Sequence, residues 1–417
     1  MTPEIKQRIE QIRRGEVPER YVKTALGLAP ANWKRYTFGD IYTERKEPGD
    51  VNLPLLMVSI HSGVSDGEVD AAELPKQVKR IEDKSQYKKA VSGDLVFNMM
   101  RAWQGAIGTV RTTGMVSPAY IVAEPNDKVY PLFMDYYSRT PQMINQIDRQ
   151  SYGVTDFRKR LYWDSFAPIG CTLPPIEEQQ KIAAILTTQD KVIELKEKRL
   201  AEKQRQKKYF MQQLLTGKKR LPGFSGEWKK TKLKNILYER KTYSPKGLEY
   251  PHVTLSAEGI FPKSERYDRD HLVRDEDKEY KITHKGDICY NPANLKFGAI
   301  CENTFGDAIF SPIYVTFEVE ENICKEYIAN YLMRWDFINA VRKYEEGTVY
   351  ERMAVKPEDF LKFEIFLPQI EEQAAIAEVL STADREIELL QQDIEQEKQK
   401  KKALMQLLLT GIVRVKT

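Results

Sequence analysis

At 417 residues the chain is long enough for two or three domains of ordinary size, each able to bury a core. Its 65 Lys and Arg against 61 Asp and Glu leave a formal charge of +4, which permits nucleic-acid contact through local patches without demanding it. There is no apolar run of about 18 residues to cross a membrane, the four cysteines (Cys171, Cys289, Cys301, Cys324) lack CxxC spacing as suits reduced thiols in a cytoplasmic protein, and the four histidines are too scattered for a metal site.

The N-terminus is polar and reads as a mixed-charge helix from Pro3 to Arg14, ended by Gly15 and Pro18, rather than as a signal peptide. Trp33-Lys34-Arg35 opens a globular segment with β-type runs at Leu55 to Ile60, Asp94 to Met99 and Ala119 to Ala123, punctuated by Gly and Pro. A helical patch from Leu132 to Ile147, a polar loop from Gln150 to Arg160 and a strand-like approach follow. Then Leu173-Pro174-Pro175-Ile176-Glu177-Glu178-Gln179 starts a long helix that runs to Leu214-Leu215-Thr216-Gly217. Prolines just ahead, acidic residues in the first turn and a closing Gly are the expected punctuation of such a helix. Lys218 to Phe224 is a basic, turn-rich linker, and after it the pattern restarts.

The restart is a repeat. Leu367-Pro368-Gln369-Ile370-Glu371-Glu372-Gln373 leads to Leu408-Leu409-Thr410-Gly411, and a shift of 194 residues aligns 45 positions without a gap, 22 of them identical. The globular segments repeat as well: Trp33-Lys34 returns as Trp228-Lys229, Glu44-Arg45-Lys46 as Glu239-Arg240-Lys241, and Gly93-Asp94 as Gly286-Asp287. Ser117-Pro118 with Tyr120 returns as Ser311-Pro312 with Tyr314, and Gly153 and Arg158 as Gly347 and Arg352. Between these anchors the copies differ heavily, with Met99 to Gln104 facing Pro292 to Phe297. The chain is two diverged copies of one mixed α/β domain followed by a spacer helix.

Apolar residues recur every seven positions in both helices: Leu186, Ile193 and Leu200, then Leu380, Ile387 and Ile394. A second track holds Ile182 and Phe210, then Ile376, Leu390 and Leu404, with Gln189, Lys196 and Lys203 interrupting it. This is coiled-coil spacing, and two such helices in one chain most simply pack against each other; two separate surface helices of common ancestry are the alternative. At ~1.5 Å per residue, about 40 residues span on the order of 60 Å. Antiparallel pairing would set two different readers in two-fold-related poses, which suits separated half-sites on duplex DNA that are not palindromic. The first helix is rich in Lys and Arg between Lys196 and Lys208, either as a solvated face or as a phosphate track.

Loops mixing Arg, Asn, Gln, Thr and Tyr match the donors and acceptors of base edges. In the first domain these are Asn98, Arg101, Trp103 and Gln104, then Tyr152, Thr155, Asp156, Arg158, Lys159 and Arg160; in the second, Asn291, Asn294 and Lys296, then Thr348, Tyr350 and Arg352. Ordinary surface or turn chemistry is the competing reading of each one singly; the clusters gain weight from recurring at matching places. Trp33 and Trp228 read as core anchors, Tyr120 and Tyr314 as structural. No catalytic constellation assembles: Asn291-Pro292-Ala293-Asn294 lacks the second proline and the aromatic of an amino-methyltransferase motif, and Gly217-Lys218-Lys219 is not a phosphate-binding loop.

The repeated Leu-Pro-x-Ile-Glu-Glu-Gln start and Leu-Leu-Thr-Gly end, in this duplicated order, resemble the specificity subunit of type I restriction-modification systems over nearly the whole chain. The resemblance implies an α+β fold: two tandem mixed α/β target-recognition domains, separated by two long helices that pair as an antiparallel coiled coil in a pseudo-two-fold duplication. It divides the chain into an N-terminal helix and lead-in (1–32), recognition domain 1 (33–172), a central spacer helix (173–217), a linker with recognition domain 2 (218–366) and a C-terminal spacer helix (367–417). It also implies a cytoplasmic, non-catalytic chain with no cofactor of its own. Its partners would be double-stranded DNA, two methyltransferase subunits carrying AdoMet, and two restriction-translocase subunits using ATP and magnesium. The N-terminal helix would pack near the end of the C-terminal helix. A scaffold of the same fold that does not read DNA, and a recognition module for a different enzyme, are the alternatives.

Overall fold

The computed structural model describes residues 3–24, 27–50, 52–65, 86–153, 158–245, 249–257, 259–263, 279–344 and 354–415; Thr155, Asp156, Thr348, Tyr350 and Arg352 lie outside the described residues. Its helices are α1 (Pro3–Arg13), α2 (Phe38–Ile41), α3 (Pro131–Tyr137), α4 (Pro141–Gln150), α5 (Trp163–Phe166), α6 (Ile176–Leu214), α7 (Lys325–Leu332), α8 (Trp335–Val341), α9 (Pro357–Leu361) and α10 (Ile370–Leu409). The chain divides into two compact units, one of Met1–Lys196 with Asp393–Thr417, the other of Glu197–Gln392. Each unit therefore contains part of both long helices.

In the first unit a four-stranded antiparallel sheet runs in the order Tyr42–Arg45, Tyr120–Pro125, Leu95–Asn98, Ile107–Thr109. The second unit repeats that order with Leu237–Glu239, Val315–Val319, Ile288–Tyr290 and Ile300–Glu302. A short antiparallel pair leads into each long helix, Gly170–Leu173 on Lys34–Thr37 and Glu364–Leu367 on Lys229–Lys232. The sequence places one helical patch from Leu132 to Ile147, but the structure breaks it into α3 and α4. Thr140 precedes Pro141, and the residue before a proline is pushed out of the helical region; Thr140 adopts ψ 149° and its Oγ1 accepts from Met143 N at 3.4 Å.

The repeated Glu-Glu-Gln of each helix start has a distinct task for its last two residues. Glu178 and Glu372 are buried. Glu178 is held by Arg414 (Nε to Oε1 2.6 Å, Nη2 to Oε2 2.7 Å) and by Trp33 Nε1 at 3.2 Å. Glu372 is held in the same way by Arg220 (2.5 and 2.6 Å) and by Trp228 Nε1 at 3.3 Å. Arg220 follows the end of α6 and Arg414 the end of α10, so in each unit the clasp fastens the start of one long helix to the end of the other. Gly217 (φ 69°) and Gly411 (φ 72°) close those ends in the left-handed region; a Cβ on Gly411 would clash with Pro30 and crowd Trp33, and one on Gly217 would touch Trp228. Gln179 and Gln373 tie the helix to its own domain. Their Oε1 atoms accept from Tyr130 N (2.8 Å) and Cys324 N (3.1 Å), the residues that cap α3 and α7, while their Nε2 atoms donate to Pro174 O and Pro368 O.

The helices pair antiparallel within each unit. In the first, Ile182, Leu186 and Ile193 of α6 are buried, as are Ile394, Leu408 and Leu409 of α10; in the second, Leu214 of α6 and the following Leu215 are buried with Ile376 and Leu380 of α10. The polar residues that interrupt the heptads find partners across the seam. Gln189 Nε2 donates to Glu397 Oε2 at 2.6 Å, and Lys196 pairs with Asp393 (2.8 Å) and Glu397 (2.9 Å). Lys203 pairs with Glu386 and Lys207 with Asp384, at 2.6 and 2.5 Å. Three members of the basic run are thus seam residues, neither a solvated face nor a phosphate track, because α10 presents acids opposite them; Arg199, Arg205 and Lys208 remain exposed. The N-terminal segment docks where expected: Arg8 Nη1 donates to Ile412 O (3.0 Å) and Tyr21 OH to Gly411 O (2.6 Å).

Two outcomes follow for stability. Glu372→Ala strands Arg220 and the Trp228 N–H, and is expected to cost about 3 kcal/mol in urea unfolding of the full chain, as breaking one side of a buried pair does; a loss indistinguishable from a surface Glu→Ala control would refute the clasp. Glu397 has its carboxyl lowered to about 2 by Gln189, Lys196 and Lys400. A lowered carboxylate stabilises the folded state above its ordinary value of 4.5 and loses that contribution as pH falls towards about 2. A melting-temperature profile of the Glu397→Gln variant should therefore fall less steeply than wild type across that acidic window.

Candidate DNA-reading surface

Each four-stranded sheet delivers a loop from its third strand. After Leu95–Asn98 the chain turns through Met100 to a short 3-10 helix, Ala102–Gln104, and returns at Gly105 (φ 104°). Asn98 shapes this turn: its Oδ1 accepts from Met100 N at 2.9 Å, and its carbonyl accepts from Arg101 N at 3.1 Å. Arg101 and Gln104 are exposed at its tip. Trp103 is half-buried, its Nε1 donating to Met100 O at 3.0 Å.

The second polar segment of this unit is fastened beside the first. Tyr152 and Arg160 exchange backbone hydrogen bonds (3.1 and 2.8 Å), and Leu161 N donates to Met99 O at 2.8 Å. Lys159 pairs with Asp148 (2.8 Å) and lies 5.8 Å from the Trp103 ring centroid, which joins the two loops through their side chains. Tyr152, Arg158 and Arg160 are exposed, and Tyr152 packs on Tyr162 with centroids 5.7 Å apart. The folded chain brings together the described members of both clusters in this unit.

The second unit builds the same loop from different side chains. Asn291 Oδ1 accepts from Ala293 N at 3.1 Å and its carbonyl from Asn294 N at 3.1 Å, and Gly298 (φ 83°) closes the turn. Asn291 is buried, so it serves the turn; Asn294 is exposed and Lys296 is half-buried, its Nζ 5.3 Å from the Phe297 ring centroid. Val355 N donates to Pro292 O at 3.3 Å and Val355 O accepts from Tyr290 OH at 3.0 Å, repeating the tie that Leu161 makes to Met99. Sequence reasoning passed over Met100, Phe297 and Trp335, which are 46%, 64% and 55% exposed, the last lying beside Gly298. Exposure of an apolar side chain leaves no mark in one sequence, so only the fold reveals these three.

Below both loops sits a shared buttress. Arg45 bonds Asp94 (Nε to Oδ2 2.8 Å) at the start of Leu95–Asn98, and Arg240 bonds Asp287 (3.0 and 3.1 Å) ahead of Ile288–Tyr290. Both aspartates are buried, and each also accepts a backbone N–H from the preceding turn, Val91 or His284. Charge-assisted bonds of this kind fix strand entry while leaving the loop tip free to vary.

A family model for the type I restriction modification DNA specificity domain matches residues 57–204 and 226–399, more than half of the chain and once on each repeat. The chain is 24% identical to the type I restriction enzyme MjaVIII specificity subunit of Methanocaldococcus jannaschii, over 80% of this chain and 83% of that one. It is also 24% identical to a protein of the same organism provisionally named the type I restriction enzyme MjaX specificity subunit, over 96% of this chain and 98% of the relative. In fold it is similar to the type I restriction-modification S subunit from M. genitalium, with a TM-score of 0.53 at 11% identity, covering 93% of this chain and 97% of that one. A chain from a solved type I R-M system gives 0.54 at 17% identity, covering 92% and 99%. With the duplicated domain, the paired helices and a family match on each repeat, this chain belongs to the type I restriction-modification specificity-subunit family.

Proposed function

We propose that this chain is the DNA-recognition subunit of a type I restriction-modification complex and catalyses nothing itself. Each domain reads one half of an asymmetric bipartite site. The paired helices set the length of the unread gap and dock two methyltransferase subunits; those carry AdoMet, and two restriction-translocase subunits supply ATP- and magnesium-dependent cleavage. The observation that carries this reading is one loop frame bearing two unlike tips: Arg101 and Gln104 in one unit, Asn294 and Lys296 in the other, above the same Arg–Asp buttress. Side chains of these types carry the donors and acceptors that base edges in the major groove require. The described readers on this view are Arg101, Trp103, Gln104, Tyr152, Arg158, Lys159, Arg160, Asn294 and Lys296, with Asn98 and Asn291 holding the turns. The matching reach of chain in the second unit would add Thr348, Tyr350 and Arg352, and in the first Thr155 and Asp156.

The test is a methylome of cells expressing this chain with its methyltransferase partner, against cells expressing the methyltransferase alone. A gapped, asymmetric motif that needs this chain is the expected result; a stable complex that adds no motif would instead favour a scaffold without DNA reading. In the same assay Arg101→Ala should relax one half-site only, at ~1–3 kcal/mol in binding to the original sequence. Both half-sites unchanged would remove Arg101 from the readers. Inserting one helical turn into both α6 and α10 should lengthen the gap and leave the half-sites intact, whereas altered half-sites with a fixed gap would contradict the spacer role.

A further inference from the structure

The duplication allows each unit to be used as a reference for the other, and one difference between them is a missing arginine. In the second unit Arg334, the residue that caps α8, is 9% exposed. Its Nη1 donates to Leu215 O at 3.2 Å, near the end of α6; its guanidinium lies 4.6 Å from the Tyr331 ring centroid; and its Nε bonds Asp336 at 3.0 Å. At the shift of 194 residues the first unit has Thr140 in the capping position of α4, with Leu409, Tyr137 and Gln142 where Leu215, Tyr331 and Asp336 stand. Thr140 is too short to reach that space, and its hydroxyl is turned to Tyr137 O at 2.8 Å.

A pocket occupies the corresponding place, partly open to solvent and lined by Trp33, Tyr137, Gln142, Thr172, Leu409 and Thr410 among others. The three counterparts of the Arg334 partners all line it. The space open to the centre of a water-sized solute is about 50 Å³, several times the ~10–15 Å³ that one water needs and enough for a planar group of four heavy atoms. The last carbonyls of a long helix carry partial negative charge and favour a cation. Lys401 and Lys402 line a neighbouring pocket that shares Thr140, Gln142 and Thr410, but their counterparts Lys207 and Lys208 coexist with Arg334 in the second unit, so they do not bar a guanidinium.

We propose that this pocket is a guanidinium site, filled from within the chain in the second unit and from outside it in the first. The ligand is an arginine side chain of a partner protein or a free guanidinium solute. A planar cation stacked on Tyr137 and donating to Leu409 O would repeat two of the contacts of Arg334, with neutral Gln142 in place of Asp336; an ammonium ion has neither the plane nor the fork of donors. The proposal does not depend on how the chain reads DNA.

The test titrates the full-length protein, labelled at Thr and Leu methyl groups, with N-ethylguanidinium and separately with ethylammonium. Saturable shifts of the Thr172 and Leu409 signals with the guanidinium alone are expected. Thr140→Arg, which supplies the missing side chain internally, should abolish them and raise the melting temperature, and Gln142→Glu, which supplies the carboxylate that Asp336 provides in the second unit, should tighten binding several-fold. No shift in the wild type, equal shifts with ethylammonium, or binding no tighter after Gln142→Glu would overturn the proposal; should Thr140→Arg not fold, the glutamate variant decides. Assembly with the methyltransferase subunit separates the sources. At least tenfold weaker assembly of the Thr140→Arg protein assigns the guanidinium to an arginine of that subunit, and unchanged assembly assigns it to a free solute.

Discussion

Glu178 and Glu372 are carboxylates placed almost wholly out of water at the first turn of the two long helices. Without partners each would be a serious liability, since an uncompensated buried charge destabilises a fold by several kcal/mol. Arg414 and Arg220 meet them with two bonds apiece, and Trp33 and Trp228 add an N–H. Because each arginine follows the end of the other helix, satisfying the charge within a unit requires the two helix ends to meet. The antiparallel pairing, the glycine that closes each helix and the tryptophan that opens each domain are all anchored at this contact.

The seam between the helices is specified by polarity as much as by apolar packing. Leucine and isoleucine at heptad spacing would tolerate a slip by seven residues, whereas Gln189 and Lys196 on Glu397, and Lys203 on Glu386, fit one register. Exposed ion pairs add little stability singly, but a polar residue inside a seam discriminates between alignments.

The recognition domains divide frame from tip in a similar way. The Arg–Asp pairs, the asparagine that folds each turn and the closing glycine are common to both units, while the tips carry different residues at each matched position. Buried charge-assisted bonds hold the frame, so the tips can change without unfolding it. The pocket beside α4 shows the same freedom elsewhere, where one copy kept an arginine and the other a threonine.

Much of this was legible in the order of residues. The duplication, the heptads and the family follow from spacing and identity, because a repeat and a period of seven are properties of the chain itself; the antiparallel direction of the pairing was implied only by the resemblance. The break between α3 and α4 was also written, in Thr140-Pro141, although a continuous apolar period concealed it. What the sequence could not supply was proximity. Nothing in the order of residues says that Lys196 faces Glu397, that Leu161 is tied to Met99, or that Glu372 meets Arg220, since each pair is far apart in the chain and surrounded by equally good candidates. Nor does it distinguish an asparagine that holds a turn, such as Asn291, from one that projects at its tip, such as Asn294; burial decides that. The sequence determined that there are two copies of one domain and a coiled coil, through patterns local to the chain; tertiary packing decided which charges are neutralised, which loops are joined and which side chains stay exposed, because those depend on distances that only folding creates.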